Sequence, residues 1–223
     1  MNIEELEQRI GYEFKNKQLI ETALTHTSYS YEHHVQNYEK LEFLGDSILE
    51  FVTSEYIYEN YQNLKEGEMT KVRATVVCEE SLAKIAKLLN FSDFLKLGKS
   101  EKLSKGHART AILEDTVEAI IAAIYLDGGI ENAKRFIITN LEKSIKYATK
   151  HVGLKDYKTV LQEKLQTKGE VKIEYITIKE SGPDHNKSFE AEVRCDGIPL
   201  ARGKGKSKKA AEMQAAKKAL KGE

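Results

Sequence analysis

The chain has 223 residues, 40% of them hydrophobic, and its 35 Lys and Arg are balanced by 35 Asp and Glu. That length supports one or two domains with ordinary cores, and no apolar run approaches the roughly 18 residues of a membrane span. The balance hides a division, because residues 151–223 hold 16 Lys and Arg against 11 Asp and Glu while residues 1–150 hold 19 against 24.

The start, Met1-Asn-Ile-Glu-Glu-Leu-Glu7, is acidic and amphipathic and lacks the basic and apolar regions of a secretory signal. A cytoplasmic protein is expected. Cys78 and Cys195 are far apart and have no Cys or His at metal-ligand spacing, so they read as two reduced thiols. Apolar residues at helical spacing (Leu6/Ile10, then Leu19/Ile20/Leu24) predict short helices, and His33-His34 reads as a solvated turn. Longer helices are expected over 38–60, 69–89, 111–126 and 131–148. No strand alternation appears before residue 148, so this part is expected to be all-α.

Within the 38–60 helix, Glu39, Glu42 and Asp46 fall within an arc of roughly 60°. Leu41, Phe43, Leu44, Ile48, Leu49 and Phe51 surround that arc and draw the segment toward a core. A second acidic group lies in the 111–126 helix, where Asp115 and Glu118 share a face among apolar neighbours. A surface helix would set Lys or Arg three or four residues from such acids. Neither Glu42, Asp115 nor Glu118 has one. Half-buried carboxylates of like charge must take up protons, bind a cation, or meet distant basic side chains after folding. Two clusters in one small domain weigh against the last. Ligands that are all oxygen favour a hard ion, Mg2+ or Mn2+.

A polar, Gly-containing break follows, and residues 149–155 read as a linker. Next come a helix at about 157–167, a strand over 171–179 and a turn at Ser181-Gly-Pro-Asp184. The segment 189–196 alternates Phe189, Ala191, Val193 and Cys195 with Glu190, Glu192, Arg194 and Asp196, a half-buried strand with Cys195 in a core position. A third strand, Ile198–Gly203, leads to an Ala-rich helix from Ser207. The order α-β-β-β-α makes the chain α+β, with an all-α domain followed by a small mixed one.

Arg202 to Lys221 contains eight basic residues and one acid, Glu212. Lys208 and Lys209 open the last helix, where the macrodipole disfavours cations by roughly 0.3–1 kcal/mol each and an incoming phosphate would relieve the conflict. Gly203-Lys-Gly-Lys-Ser207 has the ending of a P-loop, but Leu200 stands at the position of its first glycine and no βαβ context surrounds it. A basic module beside an acidic, metal-suited one points to a polyanion held by one and processed by the other.

The stretch Asn37-Tyr-Glu-Lys-Leu-Glu-Phe-Leu-Gly-Asp-Ser-Ile-Leu49 resembles the signature of the ribonuclease III family, and residues 157–221 resemble a double-stranded RNA-binding domain. Ala23-Leu-Thr-His26, Glu66-Gly-Glu-Met69, Arg73-Ala-Thr75, Asp115-Thr-Val-Glu118 and Tyr125-Leu-Asp127 match in order and spacing. The resemblance implies an endonuclease domain at 1–148, a linker at 149–155 and a double-stranded RNA-binding domain at 156–223. It implies a metal set of Glu42, Asp46, Asp115 and Glu118, with Asp46 and Glu118 catalytic and Glu39 and Glu66 as accessory acids. The implied cofactor is Mg2+, with Mn2+ as a possible substitute and no organic cofactor. Hydrolysis by metal-activated water would leave 5′-phosphate and 3′-hydroxyl ends with short 3′ overhangs, on ribosomal RNA precursors and other transcripts. A homodimer through the endonuclease domain is also implied, with no membrane partner; Phe43 suits its interface, and equally suits the core. Gln162 and Glu163 would reach one minor groove of the RNA and the loop Pro183–His185 the next, while Lys204, Lys206, Lys208 and Lys209 contact phosphates. The chain departs from the pattern at Lys40, Ala111 and Glu114, where Arg, Ser and a small residue are usual. Glu114, one residue from Asp115, is expected to point elsewhere, and Glu212 is expected to reduce the phosphate contacts of its turn. Two rivals remain: a non-cleaving RNA-binding regulator on the same fold, and a small-molecule phosphohydrolase, which would leave residues 157–221 without a purpose.

Overall fold

A computed structural model describes residues 2–106, 109–152, 157–167, 171–183 and 187–222. The chain forms two compact units, Met1–Gly153 and Leu154–Glu223. The first is helical, with α1 (Ile3–Ile10), α2 (Lys17–Ala23), α3 (Thr27–His33), α4 (Glu39–Asn60), α5 (Glu66–Val76), α6 (Glu79–Leu88), α7 (Lys99–Leu103), α8 (Thr110–Gly128) and α9 (Ile130–His151). A 3-10 turn, Phe91–Asp93, follows α6, and an isolated bridge joins Thr25 to Lys96.

Helix α8 is buried on nearly every side from Ile112 to Ile124, as expected of a helix apolar all round. Helices α2, α4, α6 and α9 pack against it, α4 most extensively. Gly45 makes the α4 approach possible, since a β-carbon there would lie 1.8 Å from the carbonyl oxygen of Glu118. At the far end of α8, Asp127 accepts hydrogen bonds from the Tyr12 hydroxyl (2.7 Å) and from the amides of Lys15 (2.9 Å) and Asn16 (2.8 Å). The loop between α1 and α2 is thereby tied to the central helix.

The structure differs from the expected elements in three places. The single helix expected over 69–89 is two, because Cys78 is extended (φ −74°, ψ 157°) and Glu79 and Glu80 open a new first turn. The short helices α3 and α7 were not expected, since neither contains a buried residue to mark it. Helix α9 runs through the first residues of the expected linker to His151, whose ring stacks on Tyr147 while Ala148 stays buried. Residues 153–155 of that linker lie outside the described residues.

The second unit contains α10 (Tyr157–Gln166), an antiparallel sheet of β1 (Ile173–Ser181), β2 (Ser188–Cys195) and β3 (Ile198–Gly205), and α11 (Lys208–Lys221). Tyr175, Val193 and Ala201 lie in register across the sheet, and Val193 packs with Leu161, Ala215 and Ala216. Gly203 and Gly205 let β3 lie flush on α11, where β-carbons would come within 2.1 Å of the Ala215 nitrogen and 2.5 Å of the Ala211 nitrogen. Their spacing therefore serves packing. Cys195 is only half-buried at the end of β2. Glu192, expected on the solvated side, is buried because the guanidinium groups of Arg194 and Arg202 each bond it at 2.7 Å and cover it. They hold its carboxyl below the usual range.

Candidate active site and nucleic-acid interface

Two helices build the acidic site. Helix α4 supplies Glu39, Glu42 and Asp46, and α8 supplies Asp115 and Glu118; the Gly45 crossing brings the two sets together. Glu118 is 8% exposed, yet its carboxylate accepts no hydrogen bond and joins no ion pair among the described residues. Burial pushes its pKa up to about 8, with the charges of Asp46, Glu114, Glu42 and Asp115 adding to the rise. Glu42 is raised by burial and then by Asp115, Glu39 and Asp46. Burial also raises Asp115, opposed by a hydrogen bond from the Tyr38 hydroxyl to Oδ2 (2.8 Å) and by His26.

Glu114 does not point elsewhere. It lies four residues before Glu118 and so shares that residue's face. Burial and the charges of Glu79, Asp115, Glu42 and Asp46 push it up to about 7. The i, i+4 spacing to Glu118 was the signal in the sequence.

The accessory acids are placed differently. Glu39 opens α4, exposed and bonded to Asn37, with its charge reaching Glu42. Glu66 opens α5, where its carboxylate accepts from the Thr70 hydroxyl (3.0 Å) and lines an apolar hollow of about 400 Å³ with Tyr58, Met69 and Arg73. It contributes to none of the interactions that raise Glu42, Glu114, Asp115 and Glu118. Within one chain Glu66 is not brought into the cluster.

The donor set is all oxygen, carries several uncompensated charges and includes an unpartnered buried carboxylate, which suits a hard divalent cation. No group of three or more His, Cys, Asp or Glu side chains among the described residues is arranged to enclose an ion. The acids are therefore neighbours that need side-chain rotation to converge on one.

In the second unit, Gln162 and Glu163 are exposed on α10, and Pro183 is exposed beyond β1. His185 lies outside the described residues. Lys204 extends from β3, 3.7 Å from Glu190, and Lys206 is exposed just before α11. Ser207 caps α11 by accepting from the Ala210 amide (3.2 Å), leaving Lys208 and Lys209 exposed in the first turn. Glu212 is bonded to Lys158 on α10 (2.8 Å), so it joins the two helices.

Comparison with known proteins gives the same division. The Ribonuclease-III-like family matches residues 16–145, and the double-stranded RNA binding motif matches residues 157–222. The chain belongs to the ribonuclease III family. It is 47% identical over 218 residues to Ribonuclease 3 of Caldanaerobacter subterraneus, covering 96% of this chain and 95% of that protein. Ribonuclease 3 of Clostridium tetani is 45% identical over 99% of this chain and 94% of its own length. The nuclease domain of a ribonuclease III from Campylobacter jejuni superimposes with a TM-score of 0.61 at 44% identity, over 64% of this chain and 98% of that one. The ribonuclease III activity, endonucleolytic cleavage of double-stranded RNA, is accordingly this chain's.

Proposed function

We propose that the chain hydrolyses phosphodiester bonds in double-stranded RNA with Mg2+ held by Glu42, Asp46, Asp115 and Glu118. The observation that carries this reading is the buried, unpartnered carboxylate of Glu118 facing like charges on α4. A hard divalent ion bound there supplies Lewis acidity, lowering the pKa of a water and offsetting charge on the phosphate. Glu118, whose pKa is raised to about 8, would give up its proton to hold it, and the apolar packing of α8 keeps Glu118 from bulk water. Glu39, at the exposed start of α4, faces substrate from the rim of the cluster. Mn2+, with similar demands, is expected to substitute.

The RNA-binding motif addresses duplex shape, since the deep major groove of A-form RNA hides its base edges. Gln162, Glu163 and Pro183 reach for minor-groove groups, and Lys204, Lys206, Lys208 and Lys209 for phosphates. Ribosomal RNA precursors and structured transcripts are the substrates we expect in the cytoplasm. Two free thiols suit that compartment.

A homodimer through the first unit fits the reading. Phe43, Phe51 and Tyr58 are 79%, 57% and 71% exposed along one stripe of α4, where a monomer gains nothing from them. The nuclease domain of the Campylobacter jejuni ribonuclease III has a region involved in dimer formation. Two sites in such a dimer would cut opposite strands.

Incubation with a mixed-sequence RNA duplex, with and without Mg2+, followed by analysis of the product ends, tests the reading. Cleavage only with the ion, leaving 5′-phosphates, 3′-hydroxyls and short 3′ overhangs, is expected. Equal cleavage in chelator, or 2′,3′-cyclic ends, would overturn it.

A further inference from the structure

Tyr38 is 2% exposed and stands immediately before α4. Its carbonyl accepts the amides of Leu41 (2.8 Å) and Glu42 (2.9 Å), so its backbone starts the helix that carries Glu39, Glu42 and Asp46. Its own amide donates to the Thr25 carbonyl (3.0 Å), and its ring meets the His26 ring edge to face at 5.7 Å. From this fixed base the hydroxyl reaches α8 and donates to Asp115 Oδ2 at 2.8 Å. One residue thus sets the start of one acidic helix and holds a carboxylate of the other.

Apart from the Asn37 to Glu39 bond at the rim, this contact is the only hydrogen bond from another side chain to an acid of the cluster among the described residues. The side chains of Glu42, Asp46, Glu114 and Glu118 accept no hydrogen bond among the described residues, and Asp115 accepts this one. A phenol differs from a lysine here in one decisive respect: it orients a carboxylate without cancelling its charge. With Oδ2 bonded to Tyr38, Asp115 keeps Oδ1 and its full charge for a cation, while its rotamer is settled beforehand. The four other acids have no such restraint and must rotate to converge on an ion.

Resting on the metal-dependent reading above, we infer that Tyr38 is a positioning residue that presets Asp115 as the fixed ligand on which the divalent ion first assembles. Groups that hydrogen-bond a metal's ligands typically matter to affinity by 10- to 100-fold. The role belongs to the hydroxyl alone, since the buried ring also serves the core.

The test is titration of Mn2+ alone into the full-length chain, following the free ion by electron paramagnetic resonance, for the wild type, Tyr38→Phe, Asp115→Asn and the double variant. Tyr38→Phe keeps the ring and is expected to weaken Mn2+ binding by about 10- to 100-fold, with the thermal midpoint measured in chelator little changed. The double variant is expected to bind no more weakly than Asp115→Asn, because the hydroxyl acts through that carboxylate. Mn2+ affinity unchanged in Tyr38→Phe, with or without a lowered midpoint, would overturn the inference and leave the metal site standing. So would losses that multiply in the double variant. Failure of the wild type itself to bind Mn2+ would overturn the metal reading, and the inference with it.

Discussion

Gly45 on α4 meets the backbone of Glu118 on α8 so closely that a β-carbon would lie 1.8 Å from the Glu118 carbonyl oxygen. The obstacle is backbone, so a side chain cannot be accommodated by rotating a neighbour. Gly45→Ala must push the helices apart, at a cost of about 1–3 kcal/mol, and the two acidic sets separate with them. A lower thermal midpoint together with loss of cleavage is expected. Gly67→Ala on α5, where a β-carbon meets nothing within 4 Å, is the control and should leave both unchanged or slightly raise stability. An active, fully stable Gly45→Ala enzyme would show that the crossing does not control the site.

The raised carboxyls make stability depend on pH. Glu118 and Glu114 titrate at about 8 and about 7 in the folded chain, against 4.5 for an ordinary Glu. Between about pH 4.5 and 8 the folded state therefore binds more protons than the unfolded one, and stability falls as pH rises. Thermal midpoints measured in chelator should decline across that window. Added Mg2+ should reverse most of the decline, because the ion replaces the protons. A midpoint that rises over the same range in chelator would contradict this assignment.

The first unit should be separable. Helix α9 ends at His151, and the acids and exposed aromatic stripe all precede it. A fragment of residues 1–152 is expected to fold, to dimerise and to cut duplex RNA slowly at low salt. Complete inactivity at every ionic strength, from a folded fragment, would place an essential group in the second unit.

Lys208→Ala with Lys209→Ala should weaken binding to all duplex sequences alike. The slope of log affinity against log salt should become shallower by about one unit per lysine, an estimate taken from duplex DNA. Cleavage at saturating RNA should change little. An unchanged slope would mean that these side chains only face solvent.

The site was legible largely because helical spacing is rigid. Once 38–60 and 111–126 read as helices, the absence of cations beside Glu42, Asp115 and Glu118 followed from counting positions. Contacts between distant segments were not legible, because nothing in local spacing encodes them. The Tyr38 to Asp115 bond joins residues 77 apart, and Glu192 is buried only because Arg202 reaches across from the next strand. Apolar residues that keep helical spacing through Val76 and Val77 hide the break between α5 and α6, and the paired acids Glu79 and Glu80 mark the new helix. Phe43 was open either way until its 79% exposure excluded the core.

The most direct test of the account is Glu118→Gln, measured for cleavage and for duplex binding on the same preparation. The amide keeps the volume of the side chain and removes the charge required to hold the ion. Cleavage should fall by more than about 100-fold, beyond the usual effect of losing an outer partner of a metal ligand. Duplex affinity should stay near that of the wild type. Near-normal turnover at moderate Mg2+ would contradict the assignment and remove Glu118 from the catalytic set.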